Sequence, residues 1–490
     1  DKSIIIGVKG ETMKPYERFI SKNDIQTIHE ESVKILSEIG VKFEHETAIE
    51  LFKKHGAKVD GDIVFIDEAL LSKSLKKVPE SFEVNIGEGK TINLGGGSKV
   101  RMPAMGNIYI SEKGKIRKMD NKDTIDQFKL ADTSPVVNVG YLNYLPDLKG
   151  FTTEQKMFYL IAMSLKYCNQ RNIMLKVDTF HMPENRSVRE VTQEGYQLVK
   201  RFYGIDGYVA LGDINPISPL TYDHDPIEKL LGICAENQPI WICPCAMPMM
   251  TAPASVASMV AQTNAEILAG LTLIQLINPG TPVLYGNTSG STNLRTIQLS
   301  IGAPETALVS YATAGLADYY NLPFRTGGGL SDAKDMDMQA GLESMLMIQT
   351  TEECNPDLVM HSCGTIGSFN VISFEKFLVD EEIWDYVRRL IKGVDITEKK
   401  LCFKELQEAG PRGTFVTGRT PKMYREEFVL PKYLNKDDPN QWQAQGGTPL
   451  RDTLHEAVRS RINSYMPPEI TKEQNELLMP YLPEIYKERI

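Results

Sequence analysis

The sequence predicts an α/β chain: a (β/α)8 barrel of the TIM type, with an α+β region before it and a helical region after it. Two observations carry that reading. From about residue 99, short β-rich runs alternate with long helix-compatible stretches, and eight such runs occur, at 99–105, 136–141, 172–177, 207–213, 240–246, 282–286, 322–326 and 357–361. Between them, segments such as 154–167, 187–202, 254–276 and 304–320 suit helices, the last opening on Pro304 as first helical turns do. Eight alternations fit a closed barrel, with a doubly wound parallel sheet as the alternative.

Residues 1–98 read as an accessory α+β region. Asn23 or Asp24 can cap a helix whose apolar face is Ile25, Ile28, Leu36 and Ile39, with Gly40 ending it. A helix at 46–54, strands at 63–66 and 82–86, and a turn at Gly95, Gly96 and Gly97 complete the region. Residues 99–394 form the expected catalytic barrel, closed by a helix at 373–392 with Phe374, Phe377, Leu378, Ile383, Val387 and Ile391 on its apolar face. Residues 395–490 are more polar and carry Pro411, Pro421, Pro431, Pro439 and Pro449; they read as a helical extension packed on the barrel, with an amphipathic helix near 453–462.

With 490 residues, the chain can build one large domain with additions. Its net charge of −10 argues against nucleic acid and anionic membranes as partners. No run of 18 apolar residues occurs, so no membrane span is expected, and the start lacks the pattern of a signal peptide. Seven cysteines, an odd number, read as reduced thiols of a cytoplasmic protein. A homo-oligomer is the expected assembly.

In a barrel, chemistry sits at the carboxyl ends of the strands. The most informative stretch there is 322–343, an apolar run broken by Gly327, Gly328 and Gly329 and followed by Ser331, Asp332, Lys334, Asp335 and Asp337. Three glycines permit close backbone approach and positive φ. Arg325 lies inside the apolar run, where a charge is costly unless paired; it is either the partner of a barrel carboxylate such as Asp213 or a fork for a substrate anion. His361 ends the eighth run, and Asn287 follows the sixth. Cys243, Cys245 and Cys363 with His361 could make a zinc site, although the spacing is not a standard one. No GxSxG, Walker, GxGxxG or HExxH pattern is present.

Three segments together, QTNAEILAGLTLIQLINPGTPVLYGN at 262–287, GAPETALVSYATAGLADYYNLPF at 302–324 and GGGLSDAKDMDMQAGLE at 327–343, resemble the corrinoid-dependent trimethylamine methyltransferase family. The resemblance runs from ILSEIGVKF at 35–43 to about residue 392. It implies a TIM barrel that hands a methyl group to a cobalamin carried by a separate corrinoid protein, with no cofactor or metal held tightly by this chain. In the archetype the residue before SDAK is pyrrolysine; here it is Leu330, which offers neither an electrophile nor a proton. The resemblance therefore implies the non-pyrrolysine branch, which demethylates quaternary amines such as glycine betaine, proline betaine, carnitine or γ-butyrobetaine. The expected catalytic positions are Leu330, Asp213 and Asn287. Arg325 and His361 are expected to grip the acid tail as a cationic pair. Tyr141, Tyr144 and Phe369, with Tyr285, are candidates for facing the ammonium head. The alternatives are a zinc-dependent or other metal-dependent barrel enzyme and a non-catalytic betaine-binding barrel.

Overall fold

The computed structural model describes residues 5, 6, 12–416 and 418–490. The expectation of no leader rests partly on residues 1–4 and 7–11, which lie outside the described residues. The fold is mixed α/β. Its centre is a six-stranded sheet in the order Gly212–Ile214, Ile240–Ile242, Val283–Gly286, Phe324–Gly327, Leu358–Met360 and Val100–Arg101. Every pairing in it is parallel, as strand–helix–strand connections require.

Two of the eight expected runs do not form regular strands. Segment 136–141 makes only backbone bonds from Asn138 and Val139 N–H to Arg101 O, at 3.0 and 3.3 Å, and from Gly140 N–H to Arg171 O at 2.9 Å. Segment 172–177 makes an isolated bridge between Met174 and Leu211. Asparagine side chains take up backbone groups that a ladder would use. Asn138 Oδ1 accepts the Arg101 N–H at 2.6 Å, and Asn172 Oδ1 accepts the Met174 N–H at 2.8 Å.

Side chains alternate along the strands. Trp241, Leu284, Leu358 and Met360 join Val100, Met102, Val139, Tyr141, Met174 and Leu211 in one inner cluster. Their neighbours Ile240, Ile242, Val283, Tyr285 and Phe324 face the other way, into the large core shared with the helices. Helix Pro304–Tyr320 matches its predicted bounds, and Phe374–Lys392 starts one residue after its cap Ser373. Helix Lys22–Lys34 is capped by Ser21, ahead of the expected Asn23 or Asp24, because the Ser21 hydroxyl accepts the Asp24 N–H. Helix Val256–Ile277 is long and apolar enough to span a membrane by composition, yet nearly all of it is buried inside the protein, as in a core helix.

The flanking regions are integrated with this body. Strand Val41–Phe43 of the accessory sheet pairs with Thr221–Tyr222 from the connection after Gly212–Ile214. At the other end, Leu454 and Val458 of helix Leu450–Asn463 are buried against Phe377 and Trp384. Ion pairs Arg451–Asp335 and Arg461–Glu381 add to that contact, both at 2.5 Å.

Candidate active site

The SDAK segment works as a clamp. Asp332 accepts the N–H groups of Ile301 and Gly302 at 2.9 and 3.1 Å and the Ser368 hydroxyl at 2.9 Å, and it bonds the Ser300 hydroxyl. Glu343 accepts from the Ser331 hydroxyl and the Asp332 N–H, each at 2.7 Å. Three loops are thereby fixed around the end of strand Phe324–Gly327. The three glycines serve close approach alone, since none of them has positive φ. A Cβ on Gly328 would meet Ser362 Cα at 2.7 Å, and one on Gly329 would meet Asp380 Oδ2 at 2.7 Å. Positive φ, expected from the sequence, does not occur at these glycines: tight packing on the neighbouring loop is what demands glycine here.

Against this clamp lies a small cavity of about 10 Å³, lined by Asn287, Thr288, Arg325, Leu330, His361 and Phe369, with hydroxyls of Thr306, Ser310 and Thr326. It has the room of about one water. His361 and Phe369 both have left-handed backbone, with φ of 52° and 73°. Such strain in non-glycine residues persists where the surroundings impose it, commonly at sites. The two rings pack at 4.6 Å.

Arg325 is buried, and no carboxylate lies within 4.0 Å of it among the described residues. Its Nη2 touches Cys243 Sγ, and its guanidinium carbon lies 5.5 Å from the centre of the Trp241 ring. Nε and Nη1 are buried without a hydrogen-bond partner. Room for the side chain comes from Gly286 on the next strand, where a Cβ would come within 3.0 Å of Arg325 Cγ and Nε. Pairing with Asp213 is excluded, because Asp213 is held by Lys176 and Lys229, each at 2.7 Å. Burial alone would raise the Asp213 carboxyl, but the two ammonium groups win and hold it well below the usual carboxylate range.

His361 departs from the cationic role expected of it. Burial, then the charge of Arg325, pushes its imidazole down to about 3, so the ring is neutral. Its Nδ1 accepts the Met105 N–H at 3.4 Å, which leaves Nε2 as the protonated, donating nitrogen. The unfolded value of 6.5 lies above this folded value, so stability from neutral His361 is complete above pH 6.5 and drains away as pH falls toward 3. His361→Gln should therefore unfold at lower pH than the wild type in acid titrations followed by circular dichroism. A histidine NMR titration near pH 6 assigned to His361 would overturn this.

The other expected residues are scattered. Asn287 lines the cavity, but its amide is engaged, with Nδ2 donating to Thr263 Oγ1 and Oδ1 accepting the Ser289 N–H, both at 2.9 Å. Tyr141 is buried in the inner cluster, Tyr144 is partly exposed with its ring 6.5 Å from that of Phe180, and neither lines the cavity. Tyr285 faces the helices and donates to Asn264 Oδ1 at 2.8 Å. Cys363 packs in the outer core with Phe377 and Trp384. Cys243, Cys245, Cys363 and His361 therefore supply no group of three within metal-ligand reach among the described residues. Sequence reading missed Thr306, Ser310 and Cys243 as neighbours of the cavity and of Arg325. A hydroxyl pair four apart on the apolar helix Pro304–Tyr320 was the available signal.

The profile of the trimethylamine methyltransferase (MTTB) family matches residues 8–487. The chain is 36% identical over 487 residues to a proline betaine:corrinoid methyltransferase of Eubacterium limosum, covering 96% of this chain and 98% of the relative. It is 35% identical to an L-carnitine:corrinoid methyltransferase of the same organism, covering 96% and 98%. A glycine betaine methyltransferase of Desulfitobacterium hafniense (strain Y51) is 31% identical, with 97% and 98% covered.

Proposed function

The chain belongs to the trimethylamine methyltransferase family, and from that premise we propose that it moves a methyl group from a quaternary amine with an acid tail to a corrinoid carried by a separate protein. The observation that carries this reading is Arg325. A buried guanidinium with no carboxylate beside it among the described residues, and with two nitrogens unpartnered there, is an unmet demand for an anion. A betaine carboxylate answers it, with His361 Nε2–H as a neutral second donor.

The rest of the cavity fits a methyl donor that needs no proton. A quaternary ammonium leaves as a neutral tertiary amine, so no general acid is required. The corrinoid supplies the nucleophile. The protein's task is to hold one N-methyl group in line, with Leu330 and Phe369 as apolar walls. Substrate entry widens a cavity that now has the room of about one water. A corrinoid ring is far too large for it and approaches from outside. Exposed Ile108, Phe180, Met249, Met250 and Leu294 lie in loops that follow the strands and offer an apolar surface for that approach.

The scaffold in this reading is a closed (β/α)8 barrel formed by residues 99–394, with 1–98 and 395–490 as additions. Supporting closure are the bonds from Arg101 to segment 136–141 and from Gly140 to Arg171. Leu211 N–H to Ile173 O at 2.7 Å continues the series to the six-stranded sheet. A cytoplasmic, homo-oligomeric enzyme completes the proposal.

Arg325→Met tests it. A charge-assisted bidentate contact is worth about 1.5–3 kcal/mol. The variant should raise KM for the true betaine by about ten- to a hundredfold while keeping the wild-type melting temperature. Choline, which has the same head and no carboxylate, should be a poor substrate and be affected far less. An unfolded variant would make Arg325 structural, and normal betaine kinetics would place the carboxylate elsewhere.

A further inference from the structure

His45, His224 and Glu228 stand apart from the cavity beside Arg325; none of them lines it. His45 precedes helix Glu46–Lys54 at the cap position but makes no side-chain cap hydrogen bond. His224 opens helix His224–Ala235, and Glu228 follows one turn later, so the two share a face. Each of the three offers one ligand atom, and these atoms lie within 4.8 Å of one another. The two imidazole rings are 5.1 Å apart, and His45 Nε2 lies 2.8 Å from Glu228 Oε1.

Two further observations point to a missing ligand. His45 is more than nine-tenths buried, and its Nδ1 has no hydrogen-bond partner. Asp223, beside His224, has a buried Oδ1 that is also without one. An imidazole and carboxylate set of this kind suits zinc-class ions. Arg189 Nη2 holds Glu228 Oε1 at 2.7 Å, the kind of outer contact that fixes a ligating carboxylate. Asp225 and Glu44 carry further negative charge near Asp223.

We infer that His45, His224 and Glu228 bind one divalent transition-metal ion of the zinc class, which ties the start of helix Glu46–Lys54 to helix His224–Ala235. The ion would brace the place where strand Val41–Phe43 of the accessory sheet joins Thr221–Tyr222.

The test uses untagged, EDTA-treated full-length protein titrated with zinc chloride, alongside His224→Ala and Glu228→Gln. His224 is exposed, so its variant should fold normally. The wild type should take up one zinc equivalent and melt at a higher temperature with zinc, and both variants should bind roughly tenfold or more weakly and lose that shift. Cobalt(II) in place of zinc should give visible d–d bands without thiolate charge-transfer bands, separating this site from the cysteines. No uptake by the wild type, equal uptake by the variants, or a thiolate-type cobalt spectrum would each overturn the inference.

Discussion

Trimethylamine, dimethylamine and methylamine should give no methyl transfer to free cob(I)alamin, whereas at least one of glycine betaine, proline betaine, carnitine and γ-butyrobetaine should give steady turnover. The cause is the leaving group. A neutral tertiary amine would depart as an amide anion unless a proton or an electrophile reached its nitrogen. Leu330 is buried in an apolar cluster with Ile301, Ala307 and Met347 and supplies neither. The neighbouring His361, pushed down to about 3 by burial and by Arg325, is not an imidazolium at neutral pH. Absence of a positioned acid alone costs about 10²- to 10⁴-fold. Quaternary amines escape that cost because their departing amine is already neutral. Spectrophotometric detection of methylcobalamin across the panel checks this. Comparable rates with trimethylamine and a betaine would sink the substrate-class argument.

Asp213→Asn should destabilise the protein by about 3–5 kcal/mol, the usual consequence of breaking a buried charge pair from one side. Here one carboxylate serves two ammonium groups, Lys176 and Lys229, each at 2.7 Å and each largely buried. Removing its charge leaves both uncompensated. The sign with pH follows from the depressed Asp213 carboxyl: its contribution is present above the unfolded carboxylate range near pH 3.9 and is lost as pH falls below it. Urea midpoints at pH 7 measure the effect, and Lys176→Met should cost less because Lys229 still pairs the carboxylate. An Asp213→Asn variant with a wild-type midpoint but no turnover would return Asp213 to the catalytic role first expected of it.

Much of this protein was decided by local sequence. Short β-rich runs between helix-compatible stretches marked the six sheet strands, because strand-forming residue types are read from neighbours in the chain. The opening Pro304 marked a helix start for the same reason. Leu330 in place of an electrophile is covalent chemistry, visible without coordinates.

Tertiary structure decided what depends on partners far away in the chain. Whether Arg325 is paired turns on Asp213, more than a hundred residues before it, and Asp213 proved to be claimed by Lys176 and Lys229. Neutrality of His361 comes from burial and from Arg325, and residue type alone had suggested a cation. Tyr285 turned from candidate cage to helix contact because one register step on a strand reverses its face. His45, near the start of the chain, meets His224 and Glu228 only because strand Val41–Phe43 pairs with Thr221–Tyr222. Sequence carries the periodicity of each element; the charge state and company of a buried group are set by the elements folded against it.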